Sequence, residues 1–122
     1  MINHIGVYTL NFDAEKAFYQ AALAPLGYVQ GAEFPGAVMF ADAKDGDSVW
    51  IEAAKEGTTP SPIHLAFSAE NEEAVKAFYE AGLKAGGSDN GAPGPRPNYG
   101  PNYYAAFVHD PDGNNIEAVI NK

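Results

Sequence analysis

Cysteine is absent from the 122 residues, so this chain holds no disulfide framework, thiolate nucleophile or cysteine-ligated metal. Positive charge is scarce. Seven Lys and Arg stand against 16 Asp and Glu, for a formal net charge of −9 and a pI near 4.5. Arg96 is the only arginine and the lysines are scattered, which excludes the clustered cationic surface that a nucleic-acid backbone requires. No run approaches the roughly 20 apolar residues of a membrane-spanning helix. Met1-Ile2-Asn3-His4 has neither the basic nor the apolar region of a secretion signal. The expected protein is cytoplasmic, with no membrane and no nucleic-acid partner. What is plentiful is core-forming material: 46% of residues are hydrophobic and 12% aromatic, enough at this length for one compact domain, residues 1–122.

Residues 4–27 repeat, without a gap, sixty residues later. His4 falls on His64, Asn11 on Asn71, Ala17-Phe18-Tyr19 on Ala77-Phe78-Tyr79, Leu23 on Leu83 and Gly27 on Gly87. Ten of 24 positions are identical, against about one or two expected by chance from ordinary composition. Further on, Trp50-Ile51-Glu52-Ala53 aligns with Asn115-Ile116-Glu117-Ala118, which leaves about five extra residues in the second copy, assigned to the run Gly91–Pro97. The chain reads as two modules, about 1–55 and 61–122. Two copies cannot stack as a solenoid, so they should close on each other.

Each module carries the same elements. Residues 2–10 and 62–68 alternate apolar and polar like strands. A helix follows, capped by Asp13 in the first module and Asn71 in the second, with Glu15, Glu72 and Glu73 suited to first turns. Pro25 and Gly27 end one helix and Gly86-Gly87 the other. Strand-like runs then occupy 36–42 and 48–54, or 103–109 and 114–120, joined by turns at Lys44-Asp45-Gly46-Asp47 and Asp110-Pro111-Asp112-Gly113. Segment 28–34 can supply one more strand. The predicted fold is α+β: two tandem βαβββ modules whose curved sheets form a metal- or ligand-binding cleft.

Residues two apart in a strand share a face. Ile5 and Val7 oppose His4, Gly6 and Tyr8, and Leu65 and Phe67 oppose His64, Ala66 and Ser68. In the closing strands Ile51 opposes Trp50 and Glu52, and Ile116 and Ala118 oppose Asn115 and Glu117. Two imidazoles and two carboxylates therefore sit on faces away from the helices. That donor set suits one divalent ion such as Fe, Ni, Zn, Co or Mn. The candidate metal ligands are His4, His64, Glu117 and Glu52. His109, beside the Asp-Pro-Asp-Gly turn, reads as an exposed residue. The Pro/Gly segment 91–101 reads as either a substrate-covering loop or a rigid crossover.

The pattern resembles the vicinal oxygen chelate superfamily, also called the glyoxalase/bleomycin resistance/dioxygenase superfamily. The resemblance is carried by Asn3-His4-Ile5-Gly6-Val7, Lys16-Ala17-Phe18-Tyr19 and Ile63-His64-Leu65-Ala66-Phe67. It is also carried by the closing run Phe107-Val108-His109-Asp110-Pro111-Asp112-Gly113-Asn114-Asn115-Ile116-Glu117. It implies metal ligation by His4, His64 and Glu117, with Glu52 as the fourth ligand used in glyoxalase I and related epimerases. It also implies lyase, isomerase or dioxygenase chemistry on a small molecule bearing vicinal oxygens. Glu52 and Glu117 are the candidate catalytic bases, and Trp50, Tyr8, Arg96 and Tyr103 the candidate substrate contacts. A glutathione adduct has two carboxylates and fits poorly with one arginine and a charge of −9. The alternative is a metal-free protein of the bleomycin-resistance kind, sequestering a cationic drug in an acidic, aromatic groove. Either way a homodimer is expected, and swapping of modules would set His4 and Glu52 of one chain opposite His64 and Glu117 of the other.

Overall fold

The computed structural model describes residues 1–122. The first module runs β1 (His4–Thr9), α1 (Phe12–Leu23), a 3-10 turn (Ala24–Leu26), β2 (Tyr28–Phe34), β3 (Ala37–Asp42) and β4 (Ser48–Ala53). The second runs β5 (His64–Ser68), α2 (Glu72–Lys84), β6 (Ser88–Pro95), β7 (Tyr103–His109) and β8 (Asn115–Asn121). Each module is a four-stranded mixed sheet, ordered β1-β4-β3-β2 and β5-β8-β7-β6, in which the first and last strands pair in parallel. The α+β fold of two βαβββ units is the one the repeat predicts. Two local expectations change. The cap of α1 is Asn11 rather than Asp13, while Asn71 caps α2 as expected, accepting from the Ala74 amide at 2.9 Å. Most of the Gly/Pro run is the edge strand β6, where prolines are tolerated because one side of the backbone has no partner.

Each helix covers the apolar face of its own sheet, and the two helices pack on each other. One core results, joining Phe18, Tyr19 and Leu23 of α1 and Val75 and Phe78 of α2 to Ile51, Phe40, Val108 and Ile116 of the sheets. With the helices between them, the sheets turn their other faces outward. The burial of β1 and β5 shows this directly: His4, Gly6 and Tyr8 are exposed, as are His64, Ala66 and Ser68, while Val7 and Phe67 are buried.

The join between modules is close-packed at Gly87. A Cβ there would lie 2.7 Å from both Phe18 Cε1 and Val108 Cγ1, and 2.8 Å from the Gly82 carbonyl oxygen. Gly87→Ala must therefore push α1 away from β7, and should lower unfolding stability by about 1–3 kcal/mol, the usual range for overpacking. Urea unfolding of the variant reads this as a lowered midpoint with an unchanged slope.

Candidate functional site

The pairing register defines the outward face of the second module row by row. Glu117, in the interior strand β8, lies between Ala66 of β5 and Phe107 of β7. The alanine leaves room above the sheet, and the carboxylate is held from two sides. His64 Nε2 lies 2.9 Å from Glu117 Oε1, and the Tyr103 hydroxyl donates to Glu117 Oε2. Glu117 is only 2% exposed although its face of the sheet is open. The hydrogen bond to Glu117 and partial desolvation push the Tyr103 phenol up to about 12. His64 is half exposed, so the pair presents its imidazole to solvent and its carboxylate from beneath. Phe107 completes the wall, with its ring 6.4 Å from that of His64 and 5.4 Å from the Arg96 guanidinium carbon. His109 shares this face, opposite Asn115, and is half-buried rather than exposed.

The first module holds the other half of the candidate set. His4 is exposed, and its Nδ1 lies 2.7 Å from Asn3 Oδ1. Donation from Nδ1–H to that amide oxygen leaves Nε2 with a free lone pair. The register corrects the alignment of the closing strands. His4 pairs with Ser48 and His64 with Asn115, so Gly6 faces Trp50 as Ala66 faces Glu117. Trp50, not Glu52, is the counterpart of Glu117. Glu52 lies one row further along, beside Tyr8, but its carboxylate bends back: a Cβ on Gly6 would be 2.5 Å from Glu52 Oε2. Trp50 stacks on Phe34 at 6.2 Å and 9° between planes, and Tyr8 and Phe34 are both more than half exposed.

These residues are brought together as two half-sites. Within one chain no three His, Asp or Glu side chains come close enough to hold an ion. His64 Nε2 and Glu117 Oε1, hydrogen-bonded at 2.9 Å, would part by about 0.5 Å to bind one tetrahedral zinc about 2.1 Å from each, and by about 0.1 Å to serve as right-angle ligands of an octahedral ion. One imidazole and one carboxylate fit a borderline divalent metal and leave it in need of further donors.

A buried cluster that the sequence did not announce sits behind the site, at the turn between β7 and β8. Asp110 accepts from the Tyr19 hydroxyl at 2.7 Å, from Asn114 Nδ2 at 2.8 Å, and from the amides of Asp112 and Asn114. Glu15 of α1 accepts from the Asp112 amide at 3.1 Å and is fully buried. It therefore does not serve as a solvated first-turn charge. Burial and the neighbouring Asp110 push its carboxyl up to about 9, and the same surroundings raise the Tyr19 phenol well above its ordinary range. Glu15 Oε2 has no donor to accept from. A protonated Glu15 resolves this by donating to Asp110.

The sequence over residues 1–118 matches the model of the Glyoxalase/Bleomycin resistance protein/Dioxygenase superfamily. This chain belongs to that superfamily. A glyoxalase/bleomycin resistance protein from Albidiferax ferrireducens T118 is 28% identical, with a TM-score of 0.84 over 100% of this chain and 99% of that one. A glyoxalase-related enzyme from Fulvimarina pelagi is 19% identical (TM-score 0.76; 99% of this chain, 88% of that). A lactoylglutathione lyase from Agrobacterium tumefaciens is 21% identical (TM-score 0.69; 98% and 92%). The last two share the fold. Among curated proteins, none matches the chain.

Proposed function

We propose that the chain is a metal-dependent enzyme acting on a small molecule with vicinal oxygens, in a cleft closed between two copies of the chain. One observation carries the reading: the His64–Glu117 pair stands on an outward sheet face, with the carboxylate buried and oriented by Tyr103. A second copy that lays its first-module face over this one adds a second imidazole, His4 of the partner subunit, whose Nε2 is free. It also covers the exposed Tyr8 and Phe34. The C2 geometry makes two such sites. A divalent ion held by His4, His64 and Glu117 would stabilise negative charge developing on the substrate oxygens. Trp50 in the row equivalent to Glu117 favours this three-ligand set over a symmetric four-ligand one. Glu52 leans over Gly6 with no hydrogen-bond partner, and in this reading Glu52 of the partner subunit serves as the base that accepts a substrate proton. Lyase, isomerase and dioxygenase reactions are all within reach of such a site. No helix is long and apolar enough to cross a membrane.

Metal content of gently purified protein, with His64→Ala beside it, tests the reading. The expected result is about one equivalent per chain in the parent, and none in the variant at unchanged circular dichroism. Stoichiometric metal in His64→Ala contradicts it. The second reading, metal-free sequestration of a cationic aromatic molecule, draws on the Trp50–Phe34 stack and the net charge of −9. It is favoured if the protein takes up no divalent ion yet releases heat with cationic aromatic ligands.

A further inference from the structure

Arg96 is the only arginine in a chain with nine more negative than positive side chains, yet no carboxylate lies within 4 Å of it. It is held instead by neutral groups. Nη1 donates to the Gly94 carbonyl at 2.8 Å and the Pro95 carbonyl at 3.4 Å, Nη2 donates to the Ala92 carbonyl at 2.7 Å, and the guanidinium lies over the Phe107 ring. The strand is shaped around it. A Cβ on Gly91 would come within 3.2 Å of Nη2 and 3.0 Å of Phe107, and one on Gly94 within 3.4 Å of Nη1. Five N–H groups are available to an arginine. These bonds leave Nε–H and one Nη2–H without an acceptor, on atoms that together form the side-on fork for a carboxylate.

A half-buried, rigidly held and unpaired cation stacked on an aromatic ring lacks a counter-ion. Phe107 is also the cross-strand neighbour of Glu117 and close to His64. We propose that Arg96 binds the carboxylate of a small monocarboxylic acid whose adjacent hydroxyl or carbonyl oxygen is directed toward His64 and Glu117. One charge is favoured over two, since a single guanidinium must offset both the buried Glu117 and the field of the −9 chain. The proposal rests on the enzymatic reading of the same site, and gives it a substrate class.

NMR titration of the full-length protein with lactate, pyruvate and mandelate, against the neutral propane-1,2-diol, tests it. Lactate or another of these acids should shift resonances of Arg96 and Phe107 and bind at least tenfold more weakly to Arg96→Met, while the weak diol interaction is unchanged. Arg96→Lys, which keeps charge but loses the fork, should fall between, and it replaces Arg96→Met if that variant fails to fold. Equal binding of acids and diol, indifference to the substitution, or no binding of any acid overturns the proposal. Metal titration of the parent protein, run beside the acid titrations, separates the two readings. Arg96-dependent acid binding by a parent protein that takes up no divalent ion keeps the anchor and removes the metalloenzyme.

Discussion

Glu15→Gln should unfold at a higher temperature than the parent at pH 8–9, with the difference shrinking toward pH 5. In the folded protein the Glu15 carboxyl is raised to about 9, well above its ordinary 4.5, by burial and by Asp110. Between those values the folded state holds a proton that the unfolded state has released. Stability from this group is therefore fully present below about pH 4.5, declines as pH rises, and is gone above about pH 9. The groups that face it are Asp110 and Asp112 from the β7–β8 turn and Tyr19 from α1 itself, and none is cationic. Glutamine keeps the shape, can still accept from the Asp112 amide, and donates permanently to Asp110. One pKa unit corresponds to about 1.4 kcal/mol, so the gain at pH 9 is on the order of several kcal/mol. The corresponding rise is about 10 °C or more for a domain near this size. Thermal unfolding of both proteins from pH 5 to pH 9 checks it. A difference that does not change with pH means that Glu15 is not protonated in the fold.

Glu117→Gln should separate binding from stability. The buried carboxylate accepts from Tyr103 and faces His64, and an amide can still accept from the phenol while presenting its NH2 group to the imidazole. Removing a charge that is 2% exposed spares its desolvation, so the fold should keep or gain about 1 kcal/mol. Affinity for a divalent ion should fall at least about 100-fold, because a neutral amide is a poor substitute for a carboxylate ligand to a borderline metal. Calorimetric titration with Ni, Zn and Mn, paired with urea unfolding, reads both. Loss of stability without loss of metal affinity would make Glu117 a structural partner of Tyr103 and nothing more.

Much of this fold is legible in the sequence because the repeat is. Ala-Phe-Tyr recurring sixty residues apart fixes two equivalent helices, and period-two alternation around His4 and His64 fixes which strand face each helix covers. The placement of Glu117 on the outward face with His64 follows from the same parity. The register of β4 was not legible, because Ile-Glu-Ala at both closing strands invites an alignment two residues out of step with the hydrogen bonding. Such a slip preserves every face and so leaves no hydrophobic signature. Glu15 was hidden for another reason. Its position in a first helical turn suits an exposed acid, yet its counterpart sixty residues on is the buried Val75. The mismatch between Glu15 and Val75 was the available signal. Nor could composition show that Gly91–Pro95 pairs as a strand, since glycine and proline there mark an edge shaped around Arg96.

Complementation between two defective chains tests the shared cleft most directly. His4→Ala and Glu117→Ala should each bind no divalent ion alone. Mixed after partial unfolding and refolded together, they should regain about a quarter of the parent's sites, because half the dimers are mixed and each mixed dimer has one cleft with an intact His4 facing an intact Glu117. Recovery of metal binding at that level is the result this account predicts. No recovery in a mixture that contains the mixed dimer would contradict it.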